Sequence, residues 1–280
     1  MRGKSVMFEQ LYKEEWLEAK GRLAFLLGIA YSIMGIFSAM VLFPDDPGLA
    51  SVAFTSLLLV PSLHQLFSLE ANKMAGEARF SIARLLWDHW DIFVIYLFLF
   101  LGALLAFGFF AAMWPPVATS AIFTPQTKAT MALGSAYGGR SAVMFEYLSN
   151  NARVLLISLV TSFFYGAGAI FIIIWNASAW GVFFGIQARQ SAHAIHPVVQ
   201  FLYSIVLVSP HLILEAGSYF AAAMAGGIIS KAAIREKFLS SRFSRVVQDG
   251  LYLFLFAIAF VIAAAYIEAY ITPWILSSWG

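Results

Sequence analysis

The feature that most constrains the fold is a series of apolar stretches, each long enough to cross a lipid bilayer. The stretch Ile92–Met113, for example, contains no charged side chain, and about 20 predominantly apolar residues are enough to span the hydrocarbon core. Charged residues make up 11% of the 280-residue chain, whereas soluble domains carry about 25%. The sequence therefore predicts an all-α protein, a polytopic transmembrane helical bundle of about six or seven membrane segments.

The same pattern divides the chain into four parts. Residues 1–21 place apolar side chains at helical spacing against glutamates and lysines, which predicts an amphipathic helix at the membrane interface. N-terminal transmembrane segments follow over residues 22–116, an extracytoplasmic loop rich in Thr, Ser, Ala and Gly over 117–149, and a transmembrane core over 150–275. The predicted continuous spans are Leu23–Phe43, Leu49–Leu69, Ile92–Met113, Val154–Trp175, Leu212–Ile229 and Leu251–Ile271.

Basic residues set the predicted orientation, because cytoplasmic loops carry an excess of Lys and Arg. Residues 1–22, 70–84 and 231–247 are basic, and residues 272–280 contain no Lys or Arg. We therefore expect a multi-pass protein of the cell membrane, with a cytoplasmic N-terminus and an extracytoplasmic C-terminus.

This orientation requires residues 176–209 to carry the chain back across the membrane. Two modest apolar runs, Ala179–Ile186 and Val198–Val208, occur there and are separated by Arg189 and two histidines. Either a bent span or a pair of broken, re-entrant half-helices would meet the requirement. The second arrangement needs shelter from lipid by protein or by a water-filled cavity.

Composition and motifs argue against several function classes. The chain has no cysteine, which excludes disulfides, thiolate metal sites and cysteine nucleophiles. A net charge of +2 gives no indication of a nucleic-acid partner, and the lipid bilayer is the predicted partner. No nucleophile elbow, phosphate-binding loop or dinucleotide fingerprint occurs in the sequence. We therefore expect no enzymatic activity and no cofactor.

The strongest polar pair is His211 and Glu215, which lie four residues apart in an apolar segment. This spacing puts both side chains on one helix face, and a carboxylate near the middle of a bilayer costs on the order of 3 kcal/mol on insertion scales. The pair is interpreted as a structural ion pair or hydrogen bond that holds helices together, or as a proton- or cation-handling site. A metal site would need a further ligand from His64, His89 or Glu268, since the second histidine of H-E-x-x-H is missing.

Other polar residues near apolar segments have structural interpretations. Glu268, near the end of the last span, either extends its side chain to the interface or pairs with His211 or Asn176. Asn150 and Asn151 are predicted to cap the fourth span, and Asn176 to bond the carbonyls at its end. We expect close helix approach at the small-residue positions Gly166, Gly168, Gly181, Gly185, Gly226 and Gly227.

Four elements form an ordered set over residues 145–275. They are Asn150-Asn151 with Val154, the glycine-rich stretch Gly166 and Gly168 leading to Asn176, Gly181 and Gly185, Pro210-His211 with Glu215, and Ile267-Glu268-Ala269 before Thr272-Pro273. This set resembles, in order, the motifs of the stage II sporulation protein M family of integral membrane proteins. Leu212 and Ala177 depart from the family's pattern, because each replaces a glycine.

The resemblance implies a multi-span membrane protein without established catalysis. In spore formers the family member recruits peptidoglycan-remodelling hydrolases, but most chains of this type occur in organisms that make no spores. We therefore predict a non-enzymatic protein that organises or recruits other membrane or envelope proteins, and its small-residue faces are compatible with a homodimer. The predicted polar core is His211, Glu215, Asn176 and Glu268, with Asn151, His89 and His64 as secondary positions.

Two alternatives to this function stay open. The first is a small transporter or channel in which His211 and Glu215 handle protons or a cation inside a cavity beside the segment 176–209. The second, weaker one is an intramembrane metalloenzyme.

Overall fold

The computed structural model describes residues 20–73, 90–131, 139–165, 169–191, 196–238 and 240–279, and none of these residues lies in a β-strand. The predicted interfacial helix over residues 1–21 falls almost entirely outside this part. The helices are α1 (Lys20–Leu42), α2 (Pro47–Lys73), α3 (Trp90–Met113), α4 (Pro116–Ile122), α5 (Thr124–Met131), α6 (Arg140–Tyr165), α7 (Ala169–Ser191), α8 (Pro197–Arg235), α9 (Ser241–Tyr266) and α10 (Thr272–Trp279). α9 continues without a break through a π-helical segment, Ile267–Ile271, into α10.

Within the described residues, five helices are long and apolar enough to cross a membrane: α1, α3, α7, α8 and α9 with its continuation. α2 contributes a shorter apolar stretch, Pro47–Pro61. α6 is similar in length to most of these five helices, but its first part carries the charged residues Arg140, Glu146 and Arg153. The prediction of an all-α helical bundle of membrane type is confirmed.

α3 packs against α1, α7 and α8. An added Cβ at Gly181 of α7 would overlap the Leu104 carbonyl oxygen of α3, and one at Gly185 would overlap the Gly108 carbonyl oxygen. The two helices therefore run parallel with their backbones in contact. At Gly226 of α8, an added Cβ would overlap a carbonyl oxygen of α6.

The expected close approach of helices at glycines is thus confirmed at Gly181, Gly185 and Gly226. At Gly227, by contrast, an added Cβ would make only an ordinary contact of 3.4 Å with the Ser162 Oγ. The first two glycines of the predicted set lie outside the described residues. Because the three close positions leave no room for a side chain, a substitution there would force the helices apart.

The long helices alternate in direction along the chain. In the first half, α2 returns along α1, and α3 runs parallel to α1. In the second half, α8 lies antiparallel to α3 and parallel to α6, and α9 lies antiparallel to α8. Contacts that define these directions are Tyr31 with Thr55, Gly35 with Ser51, Gly28 with Gly102, Phe37 with Phe110, Phe201 with Gly108, Phe220 with Tyr96, Asn151 with Glu215, Ser162 with Ala223, Gly217 with Phe260 and His211 with Thr272.

One predicted span is divided in the structure. Instead of a single helix over Val154–Trp175, α6 ends at Tyr165 and α7 begins at Ala169. Glycine costs about 1 kcal/mol in a helix relative to alanine, and two glycines occupy the three residues between these helices. Hydropathy is high on both sides of the break and therefore does not reveal it.

The segment 117–149, which the sequence predicts as an extracytoplasmic loop, is helical over much of its described part. It contains most of α4, all of α5 and the first turns of α6. Pro116 at the first position of α4 has a backbone angle suited to a helix start. The segment is rich in small polar residues without an apolar period, which is why its helices escape a search based on hydropathy.

The segment 176–209 consists of regular helix over most of its length, so the half-helix interpretation is wrong. The run Ala179–Ile186 belongs to α7, and Val198–Val208 begins α8, which continues through Pro210 to Arg235. A proline cannot donate a hydrogen bond to the carbonyl four residues before it. The Ser209 hydroxyl donates to that carbonyl, Val206 O, at 2.8 Å, which helps the helix to continue past the proline.

Candidate functional site

Three elements bring buried and half-buried polar side chains together around Glu215 of α8, whose exposed fraction is 4%. The Asn151 side chain of α6 donates from Nδ2 to Glu215 Oε1 at 2.5 Å. The Glu268 side chain, from the π-helical segment, forms a hydrogen bond with the Glu215 carboxyl group. We call these residues, together with Tyr219 and Asn150, the carboxyl cluster.

The Asn151 amide is held in one orientation by its neighbours. Its Oδ1 accepts hydrogen bonds from the Tyr219 hydroxyl at 3.0 Å and from Asn150 Nδ2 at 3.2 Å. Since the amide oxygen receives two donors, the amide nitrogen is directed at Glu215. Asn150 and Asn151 lie in the interior of α6, which begins at Arg140, so the prediction that they cap a helix is wrong.

The contact between Glu215 and Glu268 joins two carboxyl groups rather than opposite charges. An ionised carboxylate only accepts hydrogen bonds, so a bond between two carboxyl groups requires a proton on one of them. In the described part of the chain, no lysine or arginine forms an ion pair with either group. Within the described residues, the cluster is thus held by hydrogen bonds rather than by ion pairs.

The backbone at Glu268 is irregular. The Ile267 N–H is shared between the carbonyls of Ala263 and Ala264, and the Thr272 N–H bonds the Ile267 carbonyl five residues earlier. Such π-helical turns are rare and occur frequently at functional sites. Pro273 follows directly and cannot donate a backbone hydrogen bond.

His211 lies one turn before Glu215 but does not pair with it in the structure. The imidazole, with an exposed fraction of 6%, has its Nδ1 3.0 Å from the Thr272 Oγ1. His211 and Glu215 thus form hydrogen bonds that join helical elements, as the structural interpretation expects, but with other residues rather than with each other. The alternative in which Glu268 pairs with His211 or Asn176 is wrong. Instead, both residues of α8 bond the C-terminal segment independently.

The structure does not bring Asn176 into the carboxyl cluster. Its side chain is buried in the middle of α7 and donates from Nδ2 to the Ile172 carbonyl at 2.8 Å. The predicted position past a helix end is therefore wrong. His64 lies on α2 but its side chain is not described, and His89 lies outside the described residues.

Sequence reasoning missed three residues of this region. Tyr219 follows His211 and Glu215 at the same four-residue spacing, so the helix period could have revealed it. Tyr147 precedes Asn151 by one turn and interacts electrostatically with Glu215 and Glu268. Thr272 carries no comparable signal, since its contact with His211 depends on how α9 packs against α8.

The chemistry of the cluster is that of hydrogen bonding and proton exchange. Among the described residues, no three side chains of His, Cys, Asp or Glu are grouped so as to hold a metal ion. The carboxyl cluster can hold α6, α8 and the C-terminal segment together, and it can gain or lose a proton.

Fold and cluster together define an all-α membrane protein with a buried polar cluster between its helices. The chain belongs to the stage II sporulation protein M family, whose family model matches residues 92–273. The match includes every residue of the carboxyl cluster as well as His211 and Thr272, and it confirms the resemblance found in the sequence. No curated protein and no solved structure gives a significant match.

Proposed function

We propose that this protein is a non-enzymatic membrane scaffold that organises or recruits partner proteins. The observation that carries the proposal is the internal pairing of the carboxyl cluster: Asn151, Glu215 and Glu268 bond one another across three helical elements. Polar groups that satisfy one another in a low-dielectric interior fix the relative positions of the elements that carry them. A fixed framework of this kind suits a protein that presents surfaces to partners.

The outer surface of the bundle supports the same proposal. α6, for instance, exposes Leu156, Val160 and Phe164 at four-residue spacing, with exposed fractions of 51%, 50% and 70%. Within a membrane, an apolar face of this kind contacts lipid or another membrane protein. Recruitment of membrane or envelope proteins is also what the family resemblance implies.

We further propose that α1, α2, α3, α6, α7, α8 and α9 cross the cell membrane, with the N-terminus in the cytoplasm and the C-terminus outside. Alternating helix directions support this topology. Because α1 and α9 are both parallel to α3, Lys20 and Arg22 lie at the same end of the bundle as the basic segment 231–247. Clustered basic residues mark the cytoplasmic side.

The topology can be tested by cysteine labelling, since the native chain has no cysteine. Val117→Cys and Lys237→Cys place single thiols at exposed positions near opposite ends of the bundle. In intact cells, a membrane-impermeant maleimide should label the first variant, and should label the second only after permeabilisation. The opposite labelling pattern would invert the proposed orientation.

Partner recruitment can be tested by cross-linking in native membranes and mass spectrometry of the purified products. The native chain should yield a reproducible set of cross-linked proteins that Asn151→Ala reduces, because this change removes the bond between α6 and Glu215. Asn150→Ala removes one bond to the Asn151 amide oxygen but leaves the bond between Asn151 and Glu215, so it should reduce the cross-linked set less. Products no different from those of an unrelated multi-span protein would refute the scaffold proposal.

A second candidate function is transport of protons or a cation. The observation that favours it is a pair of hydrogen-bonded carboxyl groups between apolar helices, where ionisable side chains commonly mark ion pathways. Proteoliposomes with the native chain should then show an ion flux that Glu215→Gln abolishes. Flux no greater than that of protein-free liposomes would reject transport, and flux unchanged by Glu215→Gln would remove Glu215 from the pathway.

A further inference from the structure

We propose that the hydrogen bond between Glu215 and Glu268 is a proton-dependent clamp that holds the C-terminal segment, residues 267–279, against α8. The clamp is closed while the two carboxyl groups share a proton, and it opens as the pH rises and that proton is lost. This device is independent of whether the protein recruits partners or transports ions.

The contact between the two carboxyl groups depends on a proton. Two ionised carboxylates have no donor between them, so the bond disappears when the shared proton leaves. Two negative charges then remain side by side in a buried place, where their repulsion is much stronger than in water. Asn151 donates to one oxygen of Glu215, which compensates part of one charge only.

The charge environment of the pair also favours opening of the clamp once the proton is lost. From α6, the pair faces Tyr147 and Asn151, with Glu146 next to Tyr147; from α8, it faces Tyr219 and, one turn away, His211. These groups include no permanent positive charge. A deprotonated pair therefore has no fixed counter-ion among the described residues that would keep it together.

The C-terminal segment, rather than α8, is the part that moves when the clamp opens. α8 is a continuous helix that is buried at every position from Glu215 to Ile228, whereas the C-terminal segment begins with a π-helical turn and carries Pro273. Apart from Glu268, its described polar contact with α8 is the bond between Thr272 and His211. Loss of the proton is therefore expected to displace residues 267–279 and leave α8 in place.

Two measurements on the full chain in nanodiscs test the clamp. The first measurement uses electron paramagnetic resonance to follow the distance between α8 and α10 as a function of pH. The spin labels are attached at two exposed positions, Val206→Cys on α8 and Ser277→Cys on α10. A second pair, Leu156→Cys on α6 and Leu251→Cys on α9, serves as the control for the rest of the bundle. Infrared spectroscopy follows the carboxylic acid C=O band that the shared proton produces.

The variant Glu268→Gln separates the clamp from general effects of pH. Its amide donates to the Glu215 carboxylate without a titratable proton, so the clamp should stay closed at every pH. In the native chain, the short-distance population should be lost as the pH rises, together with the carboxylic acid band, while the control pair stays constant. Glu268→Ala should show the open distance throughout.

Several outcomes would overturn the proposal. One is a native distance that stays unchanged while the carboxylic acid band disappears, since the proton would then leave without opening the contact. Another is the same pH-dependent distance change in Glu268→Gln. A third is a carboxylic acid band that persists, or that Glu268→Gln and Glu215→Gln leave intact, because the pair would then hold no exchangeable proton.

Discussion

Two polar regions of this bundle hold their helices together by different kinds of hydrogen bond. At one end, Arg189 of α7 donates from Nη1 to the carbonyls of Ala111 and Trp114 at 3.0 and 2.5 Å, and to the Thr119 hydroxyl at 3.0 Å. In the carboxyl cluster, Glu215 relies on the side chains of Asn151 and Glu268. The first region places a permanent cation on carbonyls at the C-terminal end of α3, whereas the second depends on side-chain protonation.

The difference shows which polar contacts depend on conditions. Arginine does not lose its proton in proteins, and the carbonyls at a helix end always accept. The Arg189 contacts therefore persist at any pH at which the protein folds. The carboxyl cluster has one bond that exists only in one protonation state.

The largest effect is expected from Arg189→Met, which keeps an apolar side chain but removes every donor. Three acceptors at the end of α3 lose a charged partner, so the free energy of unfolding should fall by about 3 kcal/mol. The measurement is denaturant unfolding in mixed micelles at two pH values, and the loss should be the same at both.

The matched control for Arg189 is Arg242→Met. The Arg242 side chain is 55% exposed and its Nε lies 3.0 Å from Glu236 Oε1. An exposed ion pair contributes at most about 1 kcal/mol. Equal losses in the two variants would show that the Arg189 contacts do not hold α7 to α3.

The next effect is expected from Glu215→Ala. This change leaves the Asn151 amide and the Glu268 carboxyl group buried without their partner, which should cost about 2 kcal/mol of unfolding free energy. Glu215→Gln keeps an acceptor for Asn151 and a donor for Glu268, so it should cost less than about 1 kcal/mol. The test is to measure the unfolding free energies of both variants side by side under mildly acidic conditions. Similar losses in the two variants would show that the side-chain volume matters rather than the hydrogen bonds.

A smaller effect is expected from Tyr219→Phe, which removes only the hydroxyl that orients Asn151. We expect a loss of about 1 kcal/mol, typical of one hydrogen bond in a protein interior. Tyr266→Phe is the control, because that tyrosine is 51% exposed. If Tyr219→Phe changed the unfolding free energy no more than Tyr266→Phe does, the orientation of Asn151 would have to come from Asn150 alone.

The sequence predicts the fold class well, because apolar length alone separates a membrane bundle from a soluble domain. It fails at the break between α6 and α7, where only Gly166 and Gly168 mark a helix end in continuous apolar sequence. It also misses α4 and α5, whose small polar residues show no apolar period.

For the candidate site, the sequence supplies most of the residues but not their partners. His211 and Glu215 stand out because ionisable groups are costly in apolar helices. Their contacts with Thr272 and Glu268 depend on how α9 runs back along α8, and on the π-helical turn that sets the position of Glu268. Neither a pairing between distant helices nor a π-helical turn leaves a periodic signal in a single sequence.

The smallest effect is expected from Thr272→Val, which replaces the hydroxyl facing His211 by a methyl group of similar size. A loss of about 0.5–1 kcal/mol is expected, since one buried hydrogen bond disappears without leaving a cavity. A double-mutant cycle with His211→Ala measures the coupling directly, because the two losses should add to more than the loss in the double variant. Strict additivity would mean that His211 and Thr272 are neighbours without an energetic bond. The C-terminal segment would then depend on the Glu215–Glu268 bond for its polar attachment to α8, and the contrast with the Arg189 region would be sharper still.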